Sequence, residues 1–100
     1  MTPKKETTIK NQSWDEQVLY IDPQETVTTV RERLEHVPAR HVALVIPSQT
    51  LLRSHVAWKL LHRRAQELGK DVRIVSSDRQ VRAIARSVQF KVAGSLLEAG

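Results

Sequence analysis

The sequence predicts an α/β domain built on a small, mostly parallel four-stranded sheet, in the order β-α-β-α-β-α-β. Three observations carry this. Short runs of β-forming apolar residues start near positions 17, 41, 71 and 90. Between them, apolar residues recur at helical spacing. The two kinds of segment alternate along the chain, which calls for parallel strands joined by right-handed crossovers.

Residues 1–16 are polar, contain Pro3 and show no period. They are expected to form a flexible tail, with Trp14 packed at the domain edge or over a sheet face. Residues 17–21 (Gln-Val-Leu-Tyr-Ile) have strand length and stop at Asp22-Pro23. Val27, Val30, Arg31 and Leu34 then repeat at helical spacing, with Thr26 or Glu25 as cap and Pro38 beyond the end. This predicts a helix over 26–36.

Residues 41–46 (His-Val-Ala-Leu-Val-Ile) are apolar without alternation, so a central strand buried on both faces is expected. Leu52, Val56, Leu60, Leu61, Ala65 and Leu68 keep a 3.6-residue period, and Gly69 stands where a left-handed cap is wanted. They predict a helix over 50–68 with those residues inward. Residues 71–76 form a third strand, with Arg73 opposite Val72 and Ile74. Asp78 caps a third helix over 79–88, whose Val81, Ile84, Ala85 and Val88 face inward. Residues 90–93 form a short fourth strand, and Ser95 caps a helical start at 96–99. The whole is a Rossmann-like or flavodoxin-like sandwich, one domain over 17–100.

Composition narrows the function classes. The chain has 100 residues, 40% of them apolar, which suffices for one core. It has no cysteine, which excludes disulfides, thiol catalysis and cysteine-ligated metal. No apolar stretch of signal-peptide kind follows Lys4 and Lys5, and no window approaches a membrane span. A cytoplasmic location is expected. The net charge of +5 is uneven: residues 1–52 hold six basic and seven acidic side chains, residues 53–100 ten and four.

Ligands of open parallel sheets bind beyond the carboxyl ends of the strands. The candidate site residues there are Asp22, Ser48, Gln49, Thr50, Ser76, Ser77 and Asp78, with Arg53 one turn into the second helix. Hydroxyls and helix N-termini suit an anion, but every one of these residues is also an ordinary cap or turn former. No loop has a G-x-G-x-x-G or G-x-x-x-x-G-K-[ST] pattern, and the three glycines lie at 69, 94 and 100, so no phosphate cradle of the usual kind is expected. Asp22 and Asp78 both end strands, but no acidic pair or strand-end lysine completes a phospho-acceptor site. His55 and His62 stand seven apart, too far for the usual helical zinc pair. No G-x-S-x-G elbow surrounds Ser48, Ser76 or Ser77. Neither catalysis, a cofactor nor a metal site is therefore expected. Arg63, Arg64, Arg79, Arg82 and Arg86 form a candidate basic face if the second and third helices pack side by side. There is no aromatic interleaving for single strands, so nucleic acid is the lesser alternative.

Several stretches carry a resemblance: Leu19-Tyr20-Ile21-Asp22-Pro23, Val30-Arg31-Glu32-Arg33-Leu34, residues 42–47, residues 60–70, Val81-Arg82-Ala83-Ile84-Ala85-Arg86 and residues 95–99. Together these resemble α/β domains at the N-termini of longer bacterial proteins, many from Chloroflexi and related lineages, some described as baseplate-J-like. The likeness covers some four-fifths of the chain and rests mostly on core and cap positions. It implies the fold and the N-terminal module of a longer protein. A non-catalytic interaction or scaffold domain is the expected function, with another protein or other domains of the same chain as partner. It implies no catalytic residue. Gln89 departs from it, because such domains tend to carry glycine after the third helix. The second half is also similar to anti-sigma-factor-antagonist (STAS) domains, through Gly69-Lys70, the following strand and Ser95-Leu96-Leu97-Glu98-Ala99. Their phosphorylatable Asp-x-Ser-[SG] loop has no counterpart in Pro47-Ser48-Gln49-Thr50.

Overall fold

The computed structural model describes residues 16–97. The expected tail below Glu16, Trp14 within it and the last three positions of the chain lie outside the described residues. The elements are β1 (Glu16–Tyr20), α1 (Val27–His36), β2 (His41–Val45), α2 (His55–Glu67), β3 (Asp71–Val75), α3 (Arg79–Ser87) and β4 (Lys91–Ala93). All four strands are parallel, and the sheet runs β1-β2-β3-β4 in chain order. The α/β class, the alternation and the central place of β2 are as the sequence predicts.

Chain-order pairing has a geometric consequence. Each crossover is right-handed and steps the same way across the sheet, so all three helices fall on one face. Burial bears this out. Val30 and Leu34 of α1, Trp58, Leu61 and Ala65 of α2, and Val81 and Ala85 of α3 share one core with Leu19, Val42, Leu44, Val72 and Ile74. The alternate strand residues Ala43, Val75 and Ala93 form a second cluster on the opposite face, with Val18, Val45 and Leu96 packed against it. The expectation that β2 is buried on both faces holds for Val42, Ala43 and Leu44. Its helical cover is one-sided, however, and among the described residues no helix lies on the second face.

That face carries a charge bridge. Arg73 of β3 donates from Nε and a terminal nitrogen to the two carboxylate oxygens of Glu16 on β1, at 2.7 and 3.0 Å. The pair spans β2 at Ala43, which is Arg73's register partner and is fully buried. The Glu16 hydrogen bond also raises the Arg73 pKa above its ordinary value. A side chain as small as alanine beneath this bridge lets the two charges meet across a strand.

Local boundaries follow from caps. Thr26 and Thr29 form a reciprocal capping box at the start of α1: Thr29 N–H donates to the Thr26 hydroxyl oxygen, and Thr26 N–H to that of Thr29. The second helix starts at His55 and not near residue 50 as expected. Thr50 is buried and its hydroxyl oxygen accepts from Leu52 N–H, which holds 50–52 in a turn. Ser54 then caps the helix by accepting from Ala57 N–H. The expected helical start after Ser95 is a turn as far as Leu97, and its remainder lies outside the described residues.

The side of α2 that faces the sheet also differs from the expected one. The buried stripe is Trp58, Leu61 and Ala65. Val56 and Leu60, expected inward, are 64% and 40% exposed. Trp58 sets this rotation. Its indole N–H donates to the Leu52 carbonyl at 2.8 Å, and its ring meets Phe90 edge-on at 5.8 Å. A buried indole needs such a partner.

Candidate functional site

Two regions compete: the strand-end loops and the flank of the helical layer. The first is built around Arg53. Its guanidinium donates to both Asp78 carboxylate oxygens at 3.1 and 3.4 Å, to Gln80 Oε1 at 2.6 Å, and to the Ser48 carbonyl. Asp78 meanwhile caps α3 by accepting from Val81 N–H at 3.0 Å. The hydrogen bond from Arg53, then that from Val81, holds the Asp78 carboxyl at about 2, against an ordinary 3.8. The structure thus gathers Ser48, Arg53 and Asp78 into one cluster.

Of the remaining predicted residues, Ser76, Thr50 and Asp22 are committed locally. Ser76 is buried, and its hydroxyl oxygen accepts from Asp78 N–H. Thr50 is buried in its own turn. Asp22 accepts from Gln24 N–H, and its own N–H donates to Glu25, away from the Arg53 cluster. Gln49 and Ser77 are exposed. The α3 N-terminus therefore already holds an anion, which is Asp78, and the nearest cation is bound to it. The sheet also lacks the reversal of strand order that opens a crevice at a switch point.

The basic face is partly consumed as well. Arg64 donates to Glu35 of α1 and to Glu67, and these hydrogen bonds raise its pKa. Arg82 donates to the Ser76 carbonyl at 2.9 Å. Arg63, Arg79 and Arg86 have no ion-pair partner among the described residues.

The second region is a groove of about 650 Å³ between the flank of α2 and the end of α3. Val56 and Leu60 from α2 and Val88 from the α3 terminus supply its apolar surface. Lys59 and Arg63 supply charge, and no acidic side chain lines it. Gln89 forms the far wall in a left-handed conformation with φ 81°. His55, His62, Gln66 and Ser87 complete the lining, and the His62 ring stands edge-on to Phe90 at 4.9 Å. Sequence reading missed this groove because it assigned Val56 and Leu60 to the core. The available signal was the excess of apolar residues: with Trp58 added, α2 carries more than one stripe can bury.

Among the described residues, no group of three His, Cys, Asp or Glu side chains is placed to hold a metal ion, and no helix is long and apolar enough to cross a membrane. No protein-family model, curated protein or solved structure matches the chain.

Proposed function

We propose that the domain is a non-catalytic interaction or scaffold module that works in the cytoplasm and recognises another protein, or another domain of its own chain, through its helical layer. One observation carries the reading. At the strand ends Arg53, Asp78, Thr50 and Ser76 are spent on one another or on local backbone, whereas Val56 and Leu60 stand exposed beside cations on α2 that have no carboxylate partner among the described residues. Burying exposed apolar surface is the commonest driving force of protein association.

The competing reading is an anion or nucleic-acid binder, favoured by the unpaired Arg79 and Arg86 on α3. Titration with inorganic phosphate, ATP, short duplex DNA and single-stranded RNA at two salt concentrations separates the two. The proposal expects no saturable binding to any of them. Tight binding with a steep salt slope would overturn it, because that slope counts phosphates neutralised by Lys and Arg.

A further inference from the structure

The groove between α2 and α3 has a shape and a charge that define its occupant more narrowly. We infer that it docks an acidic amphipathic helix from a partner protein. The inference rests on the interaction reading above and names the partner's chemistry.

Three features converge. First, the α2 wall of the groove runs from residue 55 to residue 66, about three helical turns or roughly 16 Å at ~1.5 Å per residue. That length suits a helix laid along it, anchored by side chains at helical spacing. Second, its surface is apolar at Val56, Leu60 and Val88, which a phosphate backbone does not need and an apolar stripe does. Third, its charge is of one sign and unanswered. Elsewhere Arg33 pairs with Glu25, Arg53 with Asp78, Arg64 with Glu35 and Glu67, Arg73 with Glu16, and Lys91 with Asp71, while Arg79 and Arg86 on α3 have no ion-pair partner among the described residues. Lys59 and Arg63 have no carboxylate partner among the described residues and stand one helical turn apart, flanking Leu60. Glutamates beside a partner's apolar stripe would complete both pairs and set its register.

The conformation of Gln89 fits a working wall. It ends α3 in the left-handed region, where glycine is far cheaper. Glycine there would remove a side chain that stands against the groove.

The test uses the purified chain and synthetic peptides, read by amide chemical-shift mapping and fluorescence anisotropy. The probe is an amphipathic helical peptide of about 16 residues, with leucines at helical spacing flanked by glutamates. Its controls are a scrambled peptide of the same composition and a version with lysine for glutamate. The expected result is saturable binding of the acidic amphipathic peptide alone, with shifts centred on 56–63 and 87–89. Lys59→Glu with Arg63→Glu should weaken it at least tenfold, and so should Leu60→Asp. All three sites are exposed, so an unchanged thermal midpoint shows each variant is folded. Equal binding by a control peptide would overturn the inference. Shifts on the opposite sheet face would also overturn it, while leaving the interaction reading intact. Self-association seen by sedimentation and abolished by Leu60→Asp would assign the groove to a second copy of this chain, and the acidic partner would be wrong.

Discussion

Gln89 and Gly69 occupy equivalent positions at the ends of two helices. After α2, Gly69 N–H donates to the Gln66 carbonyl and Lys70 N–H to that of Ala65. After α3, Gln89 N–H donates to the Arg86 carbonyl and Phe90 N–H to that of Ala85. Both are the same paired cap, and both need a left-handed residue, at φ 70° and 81°. Glycine takes that conformation without penalty, whereas a residue with a Cβ pays of the order of 1–2 kcal/mol. Gln89→Gly should therefore stabilise the fold by roughly 0.5–1 kcal/mol after the added chain entropy of glycine is counted. Gly69→Ala should destabilise it by about 1 kcal/mol for conformational reasons alone, since nothing lies within 4 Å of the new Cβ. Urea midpoints read both changes. A destabilising Gln89→Gly would show that its side chain holds the fold together.

Asp78 gives a pH signature at the same scale. Its carboxyl titrates at about 2 in the folded state, below the ordinary 3.8. A depressed carboxyl contributes its stability in full above the unfolded value and loses it as pH falls through the folded one. Against Asp78→Asn, the wild-type advantage in urea midpoint should shrink between pH 3.8 and about 2, and vanish below. A pH-independent advantage would mean that the Arg53 contact does not act through charge.

At the scale of elements, most strands and helices were legible in the sequence because period and punctuation agree. Asp22-Pro23 ends β1, Pro47 follows β2, and Asp78 caps α3 where a cap was expected. The exception is α2. The apolar period extends back to Leu52 and predicts an earlier start, but the Thr50 hydroxyl holds that stretch in a turn. Its inward face was also misread, because Trp58 lay outside the assumed stripe. Two stripes competed, and the larger side chain with a hydrogen bond to offer took the core. Trp58→Phe tests this. It leaves the buried Leu52 carbonyl without its donor and opens a small cavity, costing about 2–3 kcal/mol in urea unfolding. A loss below about 0.5 kcal/mol would show that Trp58 does not anchor the helix.

For the whole molecule, strand order is the property that local patterns do not encode. Each strand reads alike whether the crossovers reverse or continue. The order β1-β2-β3-β4 places the three helices on one face and leaves the strand-end edge without a crevice. Of the candidate residues at that edge, the fold brings Ser48, Arg53 and Asp78 into contact. The cap role of Asp78 was equally legible from its type, whereas its ion pair with Arg53, across 25 residues of sequence, was not. The groove was not, because it depends on the rotation of α2 and on how the end of α3 meets it.

The function of the whole molecule turns on which region binds. An amide chemical-shift map of one sample titrated with ATP, and a second with the acidic amphipathic peptide, decides it. The account predicts that the peptide moves 56–63 and 87–89 and that ATP leaves 47–53 and 76–78 unmoved. Saturable ATP shifts at those strand-end loops, with none in the groove from the peptide, would contradict it.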